Sequence, residues 1–341
     1  MDQGQIPAAA AVRFASGREA DRRVAGVAVA GRIVRELAES GFATAWLAVP
    51  AGEAIDASAM NDVRRLAGKM DVWIGEPPAN TQAVIVPPDR ADSVDLAGPG
   101  AGREILRRTG KATDGPVSRW LNRPISRAIS AQVLRIPGFT PLHATLGTVL
   151  LALAMFAAFV AGGEAGLIAG GLLFHAASVF DGVDGEVARA TFRTSRLGAT
   201  LDALVDAGTN GLMILGVTIN LWSAGHERAL LLGAWGLGLF VIGQAVIGWR
   251  GARTGAPVDF DLLKRHYRAR LPAVVMDFLT VVTSRDFFAL LFAALIVIGV
   301  PIAVLYIFAT AATIWIWFVA GLLLPQSDTA QIPDGAESWR Q

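Results

Sequence analysis

The chain has 341 residues, of which 53 % are hydrophobic and only 17 % are charged, and its formal net charge is +1. This composition argues against an ordinary soluble protein and favours one with membrane spans. The absence of cysteine excludes disulfides, cysteine-ligated zinc and thiol catalysis.

The hydrophobic residues are concentrated after residue 140, in six apolar stretches separated by more polar connections. Stretches of about 20 apolar residues are long enough to cross a bilayer as helices. The sequence therefore predicts an α-helical integral membrane protein with six transmembrane helices, preceded by a small N-terminal cytoplasmic α/β domain. The predicted spans are residues 142–162, 166–188, 198–221, 228–249, 286–301 and 303–324.

Residues 1–108 are predicted to form the α/β domain, because the strand-like runs at residues 45–49 and 83–86 accompany a helix-spaced segment. With the run at residues 24–32, this part resembles a shortened nucleotidyltransferase. Such enzymes hold a triphosphate with a Gly-rich loop and a downstream lysine, and residues 14–19 keep at most a remnant of that loop. We therefore expect a degenerate nucleotidyltransferase-like domain with a structural or regulatory role.

Residues 109–139 are predicted to contain an amphipathic helix that lies on the membrane surface. Apolar and basic residues recur there every four positions on two different faces, and Pro124 is expected to start or bend the helix. The apolar face carries Leu121, Ile125, Ile129 and Val133, and the basic face carries Arg119, Arg123 and Arg127.

Basic residues also predict the orientation in the membrane. Residues 101–140 contain eight Arg or Lys, and more follow the second and fourth spans, whereas the opposite loops contain only Arg228. The positive-inside rule then places the N-terminus and the active site on the cytoplasmic side of the inner membrane. The six-helix domain is expected to cover residues 140–325, and the polar residues 326–341 are expected to form a mobile tail.

Four aspartates, Asp181, Asp184, Asp202 and Asp206, lie where the second and third predicted spans meet. Their spacing of three or four residues places each pair on one face of its helix. Carboxylates repel one another, but hard divalent cations prefer oxygen ligands and turn such a group into a binding site. The sequence therefore predicts that these aspartates bind Mg²⁺ or Mn²⁺.

Three residues beside the acids indicate room for a flat or phosphorylated ligand. Gly185 and Ala188 leave space on the acidic face, and Arg189 supplies a cation next to it. Helix packing would account for the small residues and for one acid–arginine pair. It does not account for four aspartates at this spacing, so we favour a metal site.

The same run matches the signature Asp-x2-Asp-Gly-x2-Ala-Arg-x8-Gly-x3-Asp-x3-Asp of the CDP-alcohol phosphotransferase family, which the chain resembles over residues 110–324. The matching positions are Asp181, Asp184, Gly185, Ala188, Arg189, Gly198, Asp202 and Asp206. The resemblance implies a six-helix membrane fold that pairs as a homodimer. It also implies transfer of a phosphoryl-alcohol group from a CDP-linked donor to an acceptor hydroxyl, with release of CMP.

The resemblance assigns a role to each matched side chain. Asp181, Asp184 and Asp202 would bind two Mg²⁺ or Mn²⁺ ions. Asp206 would be a further ligand or the general base, which makes it the catalytic candidate. The donor, a CDP-linked alcohol or CDP-diacylglycerol, would bind at Asp181, Gly185, Ala188 and Arg189.

Arginines near the cytoplasmic ends of the later spans are candidates for binding the phosphate of a phosphorylated acceptor. They are Arg196, Arg250 and Arg268. Inositol phosphate, glycerol phosphate, a free polyol and a lipid hydroxyl all remain open as the acceptor, as does the alcohol of the donor. Membrane lipid is an expected partner, and nucleic acid is not.

Within the family, residues 111–126, 184–189 and 195–198 resemble the di-myo-inositol-phosphate-phosphate synthase group. Members of that group often carry a fused cytidylyltransferase, which would account for the N-terminal domain. One departure is visible, because Leu142 stands where the family has asparagine after Thr-Pro.

Two other classes of protein also place acids inside a membrane. A divalent-cation transporter would line its path with carboxylates, yet it gains nothing from Arg189 beside them. A membrane scaffold for the N-terminal domain would leave the four aspartates without a purpose. An enzyme is therefore the favoured interpretation, and the cation transporter is the alternative.

Overall fold

The structure is a computed structural model that describes residues 9–91, 93–111, 114–254 and 284–321. Within these residues the chain has an N-terminal α/β part and a helical bundle. Arg268 and the predicted tail at residues 326–341 lie outside the described residues.

A four-stranded parallel sheet forms the centre of the N-terminal part, with the strand order β5-β4-β1-β6. Its strands are β1 (Ala9–Arg13), β4 (Thr44–Ala48), β5 (Asp71–Ile74) and β6 (Ala83–Val86), and two short hairpins are formed by β2 (Arg23–Val24) with β3 (Val27–Ala28) and by β7 (Arg90–Ala91) with β8 (Val94–Asp95). The helices are α1 (Gly17–Asp21), α2 (Val29–Glu39), α3 (Ala57–Leu66) and α4 (Ala101–Arg108). The strands predicted at residues 45–49 and 83–86 are confirmed.

Helix α2 packs on β4 and α3 packs on α2, and all three contribute to one hydrophobic core. Because side chains alternate along a strand, Ala10, Val12 and Leu47 point to one face and are completely buried. On the other face, Trp46 stacks on Trp73 with 5.8 Å between ring centroids, and Trp73 is 54 % exposed. The sequence pattern did not indicate β1, because its alanines favour a helix unless burial overrides that preference.

Within the described residues, the second part contains one short helix and a bundle of six longer segments. A π-helical turn (Ser118–Asn122) leads into α5 (Arg123–Val133), with Pro124 in the first turn of the helix as predicted. The bundle consists of α6 (Pro141–Ala161), α7 (Gly163–Ala190), α8 (Arg196–Ser223), α9 (Glu227–Thr254), α10 (Arg285–Val297) and α11 (Ile302–Gly321). Gly225 and Gly299 follow α8 and α10 with φ of +90° and +84°, a conformation that glycine adopts without steric cost.

Five of the bundle helices are long and apolar enough to cross a membrane, namely α6, α7, α8, α9 and α11. Helix α10 has 13 described residues, or about 20 Å of helix, against a hydrocarbon thickness of about 30 Å. The prediction of a multi-pass membrane protein is therefore confirmed with five candidate spans. Leu142, Leu146 and Leu150 recur every fourth residue along α6 and are exposed, as expected for a face that contacts lipid.

The polar face of α5 packs against α7. The Arg123 guanidinium bonds both oxygens of Asp114 at 2.9 Å and contacts Glu186 at 3.1 Å. Glu186 is fully buried and also accepts hydrogen bonds of 2.7 Å from Ser126 and Ser130. Arg123, which was predicted to lie on a basic face, thus points into the protein. There its positive charge offsets the negative charge of the buried Glu186 on α7.

The same arginine lowers the pKa of the Asp114 carboxyl. Burial alone would raise the pKa of the Asp114 carboxyl, but hydrogen bonds and charge from Arg123 hold that pKa below its ordinary value. The pair therefore contributes stability at neutral pH, and this contribution is lost as the pH falls through the lowered pKa.

Arg123→Ala should lower the free energy of unfolding by about 3 kcal/mol, because it leaves the buried Glu186 carboxylate without its cation. Thermal unfolding of the detergent-purified protein, followed by tryptophan fluorescence, measures this loss. The control is Arg103→Ala, at an exposed arginine on α4. Equal melting temperatures for the two variants would show that the buried pair does not hold α5 on α7.

Candidate active site

The two halves of the acidic motif face each other at one end of the bundle, which we call the carboxylate end. Asp181 lies in the last three turns of α7, and Asp202 and Asp206 lie in the first three turns of α8. One carboxylate oxygen from each of these residues lies within 4.8 Å of the others. The fold thus brings together three of the four predicted acids from two helices.

Asp184 lies one turn beyond Asp181 on the same helix and is 8 % exposed. Its Oδ2 lies 3.1 Å from the hydroxyl of Thr145, near the start of α6, which can donate to this oxygen or to the Pro141 carbonyl, also at 3.1 Å. Thr145 thereby contacts the Asp184 carboxylate beside the three grouped acids.

Arg285, the first residue of α10, supplies a cation to the cluster. Its Nη1 donates to Asp181 at 2.9 Å and also contacts Asp206. Arg285 is not among the site residues predicted from the sequence, because its acidic partners lie far from it along the chain. The only sequence signal is its position directly before an apolar segment.

The start of α10 is held in place by the next residue. Asp286 accepts hydrogen bonds from Asn122 at 2.8 Å and from Ser178 at 2.9 Å. The π-helical turn and α7 therefore both fix α10, and this brings Arg285 to the acids.

The donor set suits a hard divalent cation. All the grouped side chains offer carboxylate oxygens, and an ion that binds oxygen at about 2.0–2.6 Å fits within their spacing. Arg285, Arg189 and Lys111 bring three positive charges to the four carboxylates, so negative charge remains to attract a cation. The residues present therefore fit Mg²⁺ or Mn²⁺.

The residues predicted to bind CDP lie on the same part of α7. Gly185, Ala188 and Arg189 are all partly exposed. Arg189 donates from Nε to the Thr109 carbonyl at 2.6 Å, and a Cβ atom on Gly185 would lie 2.9 Å from Nη1 of Arg189. Because Gly185 has no side chain, the Arg189 guanidinium can lie against this part of α7, beside the acids.

Two of the three arginines predicted to bind the acceptor phosphate lie within the described residues. Arg196 is the exposed first residue of α8, and Arg250 lies near the end of α9. Because α9 runs back toward the start of α8, both arginines lie at the carboxylate end. The third, Arg268, is outside the described residues.

The fold and this site define a multi-pass membrane protein with an acidic cluster at one end of its bundle. Residues 139–318, more than half of the chain, match the family model described as CDP-alcohol phosphatidyltransferase. The chain therefore belongs to the CDP-alcohol phosphatidyltransferase family. Family membership confirms the predicted phosphotransferase class and favours it over the cation transporter.

Curated relatives share parts of this region. A "Bifunctional IPC transferase and DIPP synthase" of Aquifex aeolicus is 46 % identical over 93 residues, which cover 27 % of this chain and 20 % of the relative. The protein of the same name from Rubrobacter xylanophilus is 34 % identical over 173 residues, 50 % of this chain and 38 % of the relative. An "Archaetidylinositol phosphate synthase" of Methanothermobacter thermautotrophicus is 37 % identical over 120 residues, 35 % of this chain and 52 % of the relative. The matches thus span between a fifth and about half of the length of these relatives.

Arg285→Gln should tighten Mn²⁺ binding about fivefold to tenfold, because the ion no longer competes with a guanidinium for two of the carboxylates. The electron paramagnetic resonance signal of free Mn²⁺, titrated against detergent-purified protein, gives the dissociation constant. Arg253→Gln is the matched control, since Arg253 stacks on Trp249 at 4.1 Å. Unchanged or weaker binding in Arg285→Gln would contradict the competition.

Proposed function

We propose that this protein transfers the phosphoryl-alcohol group of a CDP-linked donor to an acceptor hydroxyl and releases CMP, in the synthesis of an inositol phosphodiester or phospholipid. The observation that carries the proposal is the group of three carboxylates on α7 and α8, within 4.8 Å of one another in the family's domain. The names of the relatives, which refer to DIPP and to archaetidylinositol phosphate, support an inositol-containing substrate.

The acids are the proposed metal ligands. Asp181, Asp202 and Asp206 would hold two Mg²⁺ or Mn²⁺ ions together with Asp184, which Thr145 contacts. When bound, the ions neutralise the donor diphosphate and the negative charge that develops on the departing CMP.

The donor would lie along α7. Arg189 is held by the Thr109 carbonyl and presents a fixed guanidinium to the CDP phosphates. Gly185 and Ala188 keep that face of the helix free of larger side chains, and Asp181 links it to the metal ligands. The donor can be a CDP-linked alcohol or CDP-diacylglycerol.

Asp206 is the proposed general base. Its side chain is 35 % exposed against 20 % for Asp181, so the acceptor can reach it more easily. Asp206 would take the proton of the acceptor hydroxyl as that oxygen forms a bond to the donor's β-phosphorus, which carries the alcohol. The bond from this phosphorus to the oxygen that bridges it to CMP then breaks, and CMP leaves with that oxygen.

A phosphorylated acceptor would be held by arginines at the carboxylate end. Arg196 begins α8 there, Arg250 lies near the end of α9, and Arg268 is proposed as the third. Guanidinium groups bind phosphate through paired hydrogen bonds, which suits an inositol phosphate acceptor.

The N-terminal domain is proposed to be a nucleotidyltransferase relic. In the loop after β1, the amides of Ala15 and Gly17 donate at 2.6 Å to the carboxylates of Glu19 and Glu53. Phosphate-binding loops need such amides for the ligand. Acids that already occupy them repel a triphosphate, which supports the loss of nucleotide binding.

We further propose the membrane topology and the subunit pairing that the sequence predicts. The chain would cross the inner membrane six times and pair as a homodimer, with its N-terminus and active site in the cytoplasm. The basic residues that precede α6 support this orientation under the positive-inside rule.

The reaction is tested by measuring CMP release from CDP-inositol and from CDP-diacylglycerol against inositol phosphate, glycerol phosphate, inositol and lipid acceptors. One donor–acceptor pair should release CMP, EDTA should stop the release, and Mg²⁺ or Mn²⁺ should restore it. Asp206→Asn should abolish release without loss of fold, whereas Glu227→Gln, at the opposite end of the bundle, should retain it. Activity in EDTA or turnover by Asp206→Asn would contradict the assigned roles.

Charge removal at Arg196 or Arg250 should raise the apparent KM for a phosphorylated acceptor about tenfold, because a charge-assisted hydrogen bond worth about 1.5 kcal/mol is lost. The KM for the CDP donor should not change. Arg228→Gln, at the opposite end of the bundle, is the control. An unchanged acceptor KM in both variants would exclude these arginines from the acceptor site.

A further inference from the structure

We propose that the N-terminal domain is a positioning element for the carboxylate cluster, in which Arg32 and Arg65 hold the turn between α7 and α8. The inference rests on the proposed function, because it takes the cluster as the metal site. It gives the domain a role that needs no bound nucleotide.

The turn at residues 191–195 joins the two halves of the cluster. Asp181 precedes it by about three helical turns on α7, and Asp202 and Asp206 follow it on α8. Helices α7 and α8 each pack more extensively on α6 than on each other. This shared packing on α6 and the turn, which joins the two helices directly, therefore together constrain how far the two sets of carboxylates lie apart.

Two arginines from the N-terminal domain bind the backbone at the end of α7 and in this turn. Arg32 donates from Nη2 to the Ala190 carbonyl at 2.7 Å. Arg65 donates from Nη1 to the carbonyls of Thr191 and Phe192 at 3.0 and 3.2 Å. Carbonyls at a helix C-terminus lack partners within the helix and favour nearby cations, so the arginines cap α7 from another domain.

Arg32 is buried at this contact, where its hydrogen bonds fix the guanidinium. It is 1 % exposed, and it also donates to the carbonyls of Val24 at 2.9 Å and Ala25 at 3.2 Å. One guanidinium thus connects the β2–β3 hairpin to the end of α7.

Arg65 is oriented by a buried acid. Asp62 is 5 % exposed and accepts a hydrogen bond of 3.1 Å from Arg65, while its other oxygen accepts from the Ala28 amide at 3.2 Å. The Arg65 side chain is 30 % exposed, so its replacement need not disturb the domain core.

Phe192 shows that the turn is held in an unfavourable conformation. Its φ is +56°, in the left-handed region, which is unfavourable for a residue other than glycine. The guanidinium groups of Arg35 and Arg32 lie 4.2 and 5.2 Å from its ring centroid. These cation–π contacts favour the ring position that accompanies the strained backbone.

The hairpin tip adds close packing to the polar contacts. A Cβ atom on Gly26, where φ is +80°, would lie 2.7 Å from Leu134 on the segment after α5 and 3.1 Å from Thr191. The domain core also continues into Val183 and Val187 of α7. The turn is therefore fixed from two sides, by arginines and by the hairpin.

The test uses Arg65→Ala in the full-length protein, with Mn²⁺ binding measured from the free-ion electron paramagnetic resonance signal and no substrate present. We expect the Mn²⁺ dissociation constant to rise about tenfold, at the lower end of the effect of residues that support metal ligands. Arg64→Ala, on the exposed side of the same helix, is the control, and Arg65→Lys should recover part of the affinity.

A distance measurement distinguishes loss of the arginine contacts to the turn from a general loss of stability. The chain has no cysteine, so spin labels at Ser40→Cys and Thr194→Cys report only the separation of the domain and the turn. Double electron–electron resonance should give a broader distribution in Arg65→Ala than in Arg64→Ala. Arg35→Ala, which removes the cation closest to Phe192, should broaden it as well.

The outcomes distinguish this inference from the proposed function. If the wild-type protein binds no Mn²⁺, the metal site of the proposed function is wrong. If the wild-type protein binds Mn²⁺ and folded Arg65→Ala binds it equally well, the positioning role is wrong, whatever the spin-label distances.

Discussion

The carboxylates of Asp181, Asp202 and Asp206 lie within 4.8 Å of one another at the end of an apolar bundle, and their mutual repulsion must be balanced. Arg285 supplies one positive charge by contact with two of them. Arg189 and Lys111 add two more, yet Asp184 brings the acids to four, and a divalent cation would offset the remaining negative charge with ligands that it prefers. The proposed chemistry follows from this imbalance, because a cation bound there would attract the diphosphate of the donor.

Helix α7 is where the supporting contacts meet. Thr145 from α6 contacts Asp184, Arg123 from α5 pairs with Glu186, and Arg32 from the N-terminal domain binds the carbonyl of Ala190. These contacts follow one another along the last three turns of a single helix. Each joins α7 to a different element, so the position of the acids is determined by α5, α6 and the sheet domain together.

The spacing of the motif was sufficient to predict the acidic cluster, because three- and four-residue steps on a helix leave little choice of face. The strands at residues 45–49 and 83–86 were also predictable, because each is a short apolar run. The contacts of Arg285 and Asp286 were not predictable, since their partners lie far away in sequence and only the packing of the helices brings them together. Arg123 was misread as a surface charge, because the pattern of α5 cannot reveal the buried Glu186 opposite it.

The most direct test of the central claim is whether a cation in the cluster contacts the donor diphosphate. Mn²⁺-loaded protein with CDP-inositol or CDP-diacylglycerol can be examined by ³¹P electron–nuclear double resonance. A phosphorus hyperfine coupling with one of the two donors, lost in Asp202→Asn, is the predicted result. Bound Mn²⁺ without phosphorus coupling from either donor would contradict the account.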